Sequence, residues 1–172
     1  MTRPMADLVE TLIEDERWQA ARLEDLADAA CRAVLSRLDL PAEGFEIAVL
    51  GCDDARMATL NADFRDKDRA TNVLSWPAVE LAPDRAGGAP SRPDPGPADM
   101  PQSLGDIAIA FDTCAREAAE QGKPLAAHVT HLLVHGCLHL LGFDHIRAPD
   151  AARMEALEVD LLERMGIADP YQ

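Results

Sequence analysis

The stretch His128–His145, HVTHLLVHGCLHLLGFDH, constrains this chain more than any other. It holds all five histidines of the sequence. A helix is expected from Pro124 to Leu141, because apolar residues recur at helical spacing, Pro124 suits a first turn and Gly142 ends the run. At about 100° per residue, His128, His131, His135 and His139 fall within a sector of roughly 80° on that helix. Leu133 and Cys137 point to the opposite side. A fold built on this helix must bury one side in a core and turn the imidazole side toward a space.

His135 and His139 stand at i and i+4, so both imidazoles can reach one ion from adjacent turns. Gly142 lets the chain turn back and bring in His145. The resulting spacing, H-x-x-x-H-x-x-G-x-x-H, is that of the metzincin zinc proteases. Gly136, however, stands where those proteases carry their general-base Glu, so the metal is better supported than peptide hydrolysis, and a zinc peptidase is the weaker alternative. The expected site is one Zn2+ per chain held by His135, His139 and His145, with a fourth position left for water. Asp144 reads as a rival fourth ligand, a general base, or a turn residue bonding its own backbone. His131 reads as a supporting group or a substrate contact. His128 reads as a polar residue in the first turns. Asp106 reads as a carboxylate holding a ligand imidazole through its outer N–H, or as a turn residue.

The rest of the chain supplies the scaffold. A short strand is expected within 6–13, a helix over 18–38, a strand over 45–51, and a helix over 55–64 capped by Asp53 or Asp54. A strand over 71–77 ends at Pro77. LGDIAIAF (104–111) is apolar enough for a central strand. Asp112 or Thr113 is expected to cap a helix reaching Gln121, and a last helix spans about 149–165. Residues 82–101 hold six of the twelve prolines and three glycines, a composition expected of a flexible surface insertion. The pattern gives an α+β fold: a small mixed β-sheet packed with several helices, in a single domain over 1–172, with the three-His zinc site at the end of a central helix.

Composition sets outer limits. With 48% hydrophobic and 27% charged residues the chain reads as soluble and globular. It has no run of about 20 apolar residues, and its first residues do not resemble a signal peptide, so a cytoplasmic location is expected, with no membrane partner. Cys31, Cys52, Cys114 and Cys137 form no CxxC pair and read as small buried side chains. A net charge of −15 argues against broad nonspecific binding to nucleic acid. One local cluster runs against that charge: Arg65, Lys67 and Arg69, interleaved with Asp63, Asp66 and Asp68.

HGCLHLLGFDH resembles the signature of the YbeY family of bacterial rRNA maturation factors, which are metal-dependent endoribonucleases. LNADFRDKDRATNVLSWP and SLGDI are similar to two further segments of that family, and the resemblance runs to EALE and DPY near the C-terminus. Trp76 stands where the family usually has Phe, and the insertion at 82–101 is longer than expected. The resemblance implies zinc on His135, His139 and His145, and Arg65 as the functional arginine near the metal. It implies hydrolysis of single-stranded RNA in processing the 3′ end of small-subunit rRNA and in ribosome quality control. The implied partners are an rRNA precursor and the ribosomal small subunit or assembly factors; no DNA substrate is expected. The general base stays open between the metal-activated water itself, Asp144 and His131. A non-catalytic assembly factor with a structural zinc is the main alternative.

Overall fold

The structure, a computed structural model, describes residues 7–65 and 71–171. Four strands, β1 (Val9–Ile13), β2 (Phe45–Cys52), β3 (Val73–Pro77) and β4 (Gln102–Ala110), form one sheet in the order β1-β2-β4-β3. β1, β2 and β4 run parallel, and β3 pairs antiparallel to β4 at the edge. Six helices among the described residues accompany it: α1 (Arg17–Ala20), α2 (Leu23–Arg37), α3 (Asp54–Arg65), α4 (Phe111–Gln121), α5 (Leu125–Leu140) and α6 (Ala148–Arg164). This is the single mixed-sheet α+β domain expected.

Strand parity decides what faces what. In β2 and β4, Ile47, Val49, Ile107 and Ile109 point to one face, where α2 and α5 cover them. That face holds the main core, closed by Leu23, Val34, Leu133, Val134 and Leu138, each at most 1% exposed. Burying each such side chain contributes about 1.5–3 kcal/mol. The opposite face carries a smaller cluster, Cys52, Met57, Leu74, Ala108 and Ala110, beneath α3. α5 therefore lies against the sheet, and α4 and α6 flank it. Gly136 is the contact point. A Cβ there would stand 3.3 Å from the Ile107 side chain, so α5 packs flush on β4 and position 136 has no room for a glutamate.

Two local expectations are corrected. Residues 18–38 are not one helix: Arg22, at φ 60°, separates α1 from α2, and the short α1 seats buried Trp18, whose indole N–H donates to the Cys52 carbonyl at 3.0 Å. Neither Asp112 nor Thr113 is the residue preceding α4; that is Ala110. Instead the first turns of α3 and α4 hold each other. Asp54 N donates to Asp112 Oδ2 at 3.1 Å, and Thr113 N and Oγ1 donate to Asp54 at 2.9–3.0 Å. Asp53 does cap α3, accepting from Arg56 N at 2.8 Å. All four cysteines are buried and free, as expected.

Residues 82–101 contain no helix or strand and lie along the body. Arg92 donates to the Leu38 and Asp39 carbonyls, Arg153 to the Gly87 carbonyl, and Gly87 N to buried Asp150. No helix among the described residues is long and apolar enough to cross a membrane.

Candidate metal centre

The last two turns of α5 and the turn after it build the site. α5 presents His131, His135 and His139 on one side, while Leu133, Gly136 and Cys137 are buried on the other. Gly142 then reverses the chain at φ 95°. A Cβ at that position would stand 2.7 Å from the Leu81 carbonyl group, so the turn needs glycine for its backbone angle and for the close approach. Asp144 completes it, accepting from His145 N at 2.6 Å and Ile146 N at 3.2 Å. This is the self-bonded turn geometry among the three readings of Asp144, and it sets His145 back over the helix end.

The three expected ligands come together. One nitrogen from each of His135, His139 and His145 lies within 4.8 Å of the others. The ring centroids are 4.5, 5.3 and 5.1 Å apart, and the two Nε2 atoms of His135 and His139 face each other at 3.0 Å. Tetrahedral zinc with bonds of 2.0–2.1 Å needs ligand nitrogens about 3.3 Å apart, so the donor set fits a metal ion after small side-chain shifts. It is all-nitrogen and open on one side, because His145 is exposed while His135 and His139 are half-buried.

One carboxylate behind the ligands decides the imidazole orientation, and it is not Asp106. Asp106 is exposed on the far side of the sheet, one residue out of parity with Ile107, and lines a hollow of about 610 Å³ with Leu12, Leu50 and Trp76. That hollow lies across the sheet from the histidines. The expected role belongs to Glu158 of α6. Fully buried, its Oε1 accepts from His135 Nδ1 at 2.5 Å, while Oε2 accepts from the Tyr171 hydroxyl. Burial raises the Glu158 pKa, but these two hydrogen bonds outweigh it and hold the carboxyl below its ordinary range. His135 therefore keeps its proton on Nδ1 and offers Nε2 to a metal. Sequence spacing alone did not single out Glu158, yet a signal existed: it sits on the apolar stripe of α6 between Met154 and Leu161, where an acid is out of place.

The other histidines separate. His131 is 3.8 Å from Glu158, and burial pushes its pKa down to about 4. Burial, with His135 and His145 nearby, lowers His139 to about 4 as well. Both imidazoles are neutral at pH 7, the form a metal requires. His128 is not a surface group. It is 5% exposed, and its Nε2 meets Glu117 at 2.9 Å; Glu117 also accepts from Asn72 Nδ2 at 3.0 Å. The backbone of Arg65 ends α3; its side chain, with Lys67 and Arg69, lies outside the described residues.

Two hollows meet at the triad and share Ser75, His139 and His145. One, about 390 Å³, is walled by Val79, Glu80, Phe143 and Ile146; the other, about 310 Å³, by Asn72, His131 and Tyr171. An extended substrate lying across the metal position would have room on both sides.

The family model described as Endoribonuclease YbeY matches residues 9–166. The chain belongs to the YbeY family. Relatives named Endoribonuclease YbeY include that of Dinoroseobacter shibae, 59% identical over 98% of this chain and 93% of its own length. That of Cereibacter sphaeroides is 58% identical over 97% and 100%, and that of Rhizobium meliloti 46% over 87% and 80%. A Thermotoga maritima protein solved in solution shares the fold, with a TM-score of 0.54 and 18% identity over 95% of this chain and 99% of that one. The range that the family model matches, residues 9–166, takes in His135, His139 and His145.

Proposed function

We propose that this chain is a zinc-dependent endoribonuclease that cleaves single-stranded RNA in rRNA maturation, at the 3′ end of small-subunit rRNA, and in ribosome quality control. The observation that carries the reading is a three-imidazole cluster in an open cleft of a chain that belongs to the YbeY family. A zinc ion held there supplies Lewis acidity, lowering the pKa of a water and polarising a phosphoryl oxygen. The protein's own residues do the rest. Glu158 fixes His135 in the tautomer that leaves Nε2 free. Arg65, at the end of α3, would grip the phosphate with its planar fork and offset charge in the transition state. Asp144 uses one oxygen on the turn and has lone pairs left for a water. His131, beside His135 in the 310 Å³ hollow, would hold or accept a proton from the other side.

A peptidase lacks its base here, since position 136 faces Ile107 rather than the cleft. The net charge of −15 disfavours affinity for RNA at large, so substrate would be delivered by docking on the small subunit or an assembly factor in the cytoplasm. Precursor rRNA cleavage by Arg65→Glu and His139→Ala tests the reading. Both should lose cleavage, and only His139→Ala should also lose metal. Cleavage by both at the wild-type rate would overturn it. Small-subunit binding with full zinc and no cleavage by the wild type would instead make the protein a non-catalytic assembly factor.

A further inference from the structure

Tyr171 is the only tyrosine of the chain, and among the described Phe, Trp and Tyr residues it is the one that is exposed, at 48%. It lines the 310 Å³ hollow beside the three metal-binding histidines. Its hydroxyl is already committed to buried Glu158, and one side of the ring meets His131 edge-on, with centroids 5.8 Å apart at 86°. What the residue still offers is a ring face, held in position by its own hydrogen bond. The surroundings are acidic: burial and the bond to Glu158, with smaller effects from the Glu155 and Asp169 carboxylates, push the phenol pKa up. Carboxylates around the ring favour a neutral planar group over an anion there.

We propose that this hollow is a nucleobase subsite, in which the Tyr171 ring stacks on the base flanking the scissile phosphate and Glu158 positions both the ring and His135. The inference rests on the endoribonuclease reading. A base in a duplex keeps its faces covered, so such a subsite selects unpaired nucleotides. Base–aromatic stacking tolerates any base, and removing the ring weakens binding roughly 5- to 150-fold.

The test uses the full chain loaded with zinc and a short 2′-O-methyl oligoribonucleotide, which resists cleavage, with 2-aminopurine placed at each position in turn. Fluorescence quenching and anisotropy are read for wild type, Tyr171→Phe, Tyr171→Trp and Tyr171→Leu, with metal content measured on the same samples. Phe and Trp should bind within about threefold of wild type and quench one position. Leu should bind at least fivefold more weakly and lose that quench. The inference is overturned if Leu binds and quenches as Phe does while the wild type cleaves RNA. It is also overturned if all three substitutions, Phe included, act by losing metal, which would make Tyr171 only a strut for Glu158. A wild type that neither binds nor cleaves RNA removes the endoribonuclease reading itself, and the subsite with it.

Discussion

Replacing Glu158 by Gln removes a charge and almost nothing else. The side chain keeps its volume. Its amide oxygen can still accept from His135 Nδ1, and its NH2 can donate to the Tyr171 oxygen, so both contacts survive in neutral form. A hydrogen bond to a charged group is worth about 1.5–3 kcal/mol against about 0.5–1.5 for a neutral pair. Losing the charge in the bond to His135 therefore costs about 1–1.5 kcal/mol of ligand basicity. That corresponds to about a tenfold loss of metal affinity, the low end of the range usual for carboxylates behind metal-bound histidines. Folding should change much less, because relief from burying a carboxylate offsets the weakened bonds. Competition against a chromophoric zinc chelator, with a thermal melt of the metal-free protein, measures both. A Glu158→Gln affinity within twofold of wild type, at an unchanged melting temperature, would refute the claim that this carboxylate tunes the site.

Acid should unfold the metal-free protein earlier than its carboxylates alone would dictate. His131 and His139 have folded pKa values near 4 against about 6.5 unfolded, so between those values the unfolded chain binds more protons. Their stabilising effect is full above pH 6.5 and is lost as pH falls toward 4, by up to about 3 kcal/mol each; urea midpoints across that window would show it, and a flat profile would contradict it. Gly142→Ala should misplace His145 and weaken metal binding at least tenfold, since a Cβ at φ 95° would meet the Leu81 carbonyl; chelator competition reads this directly, and wild-type affinity would contradict it.

The clustering of the three histidines was legible because it is local. Helical spacing puts His135 and His139 on adjacent turns, and Gly142 fixes where the chain returns. Element order was legible too, since strand alternation and glycine or proline stops are short-range signals. Glu158 was harder because its contact with His135 spans 23 residues and depends on how α6 docks. Asp106 went wrong for a reason visible in the sequence. If Ile107 and Ile109 face α5, then Asp106 must face away, because side chains alternate along a strand. The reciprocal capping of α3 and α4 escaped notice because Asp54 and Asp112 meet only once the C-terminal ends of β2 and β4 lie side by side.

A titration of metal-free protein with zinc, following the initial rate of cleavage of a single-stranded RNA, asks directly whether three imidazoles and one metal ion make this chain a ribonuclease. The rate should rise from zero and break at one zinc per chain, and His145→Ala should show neither rise nor break. Cleavage that is independent of zinc, or that persists undiminished in His145→Ala, would contradict the account.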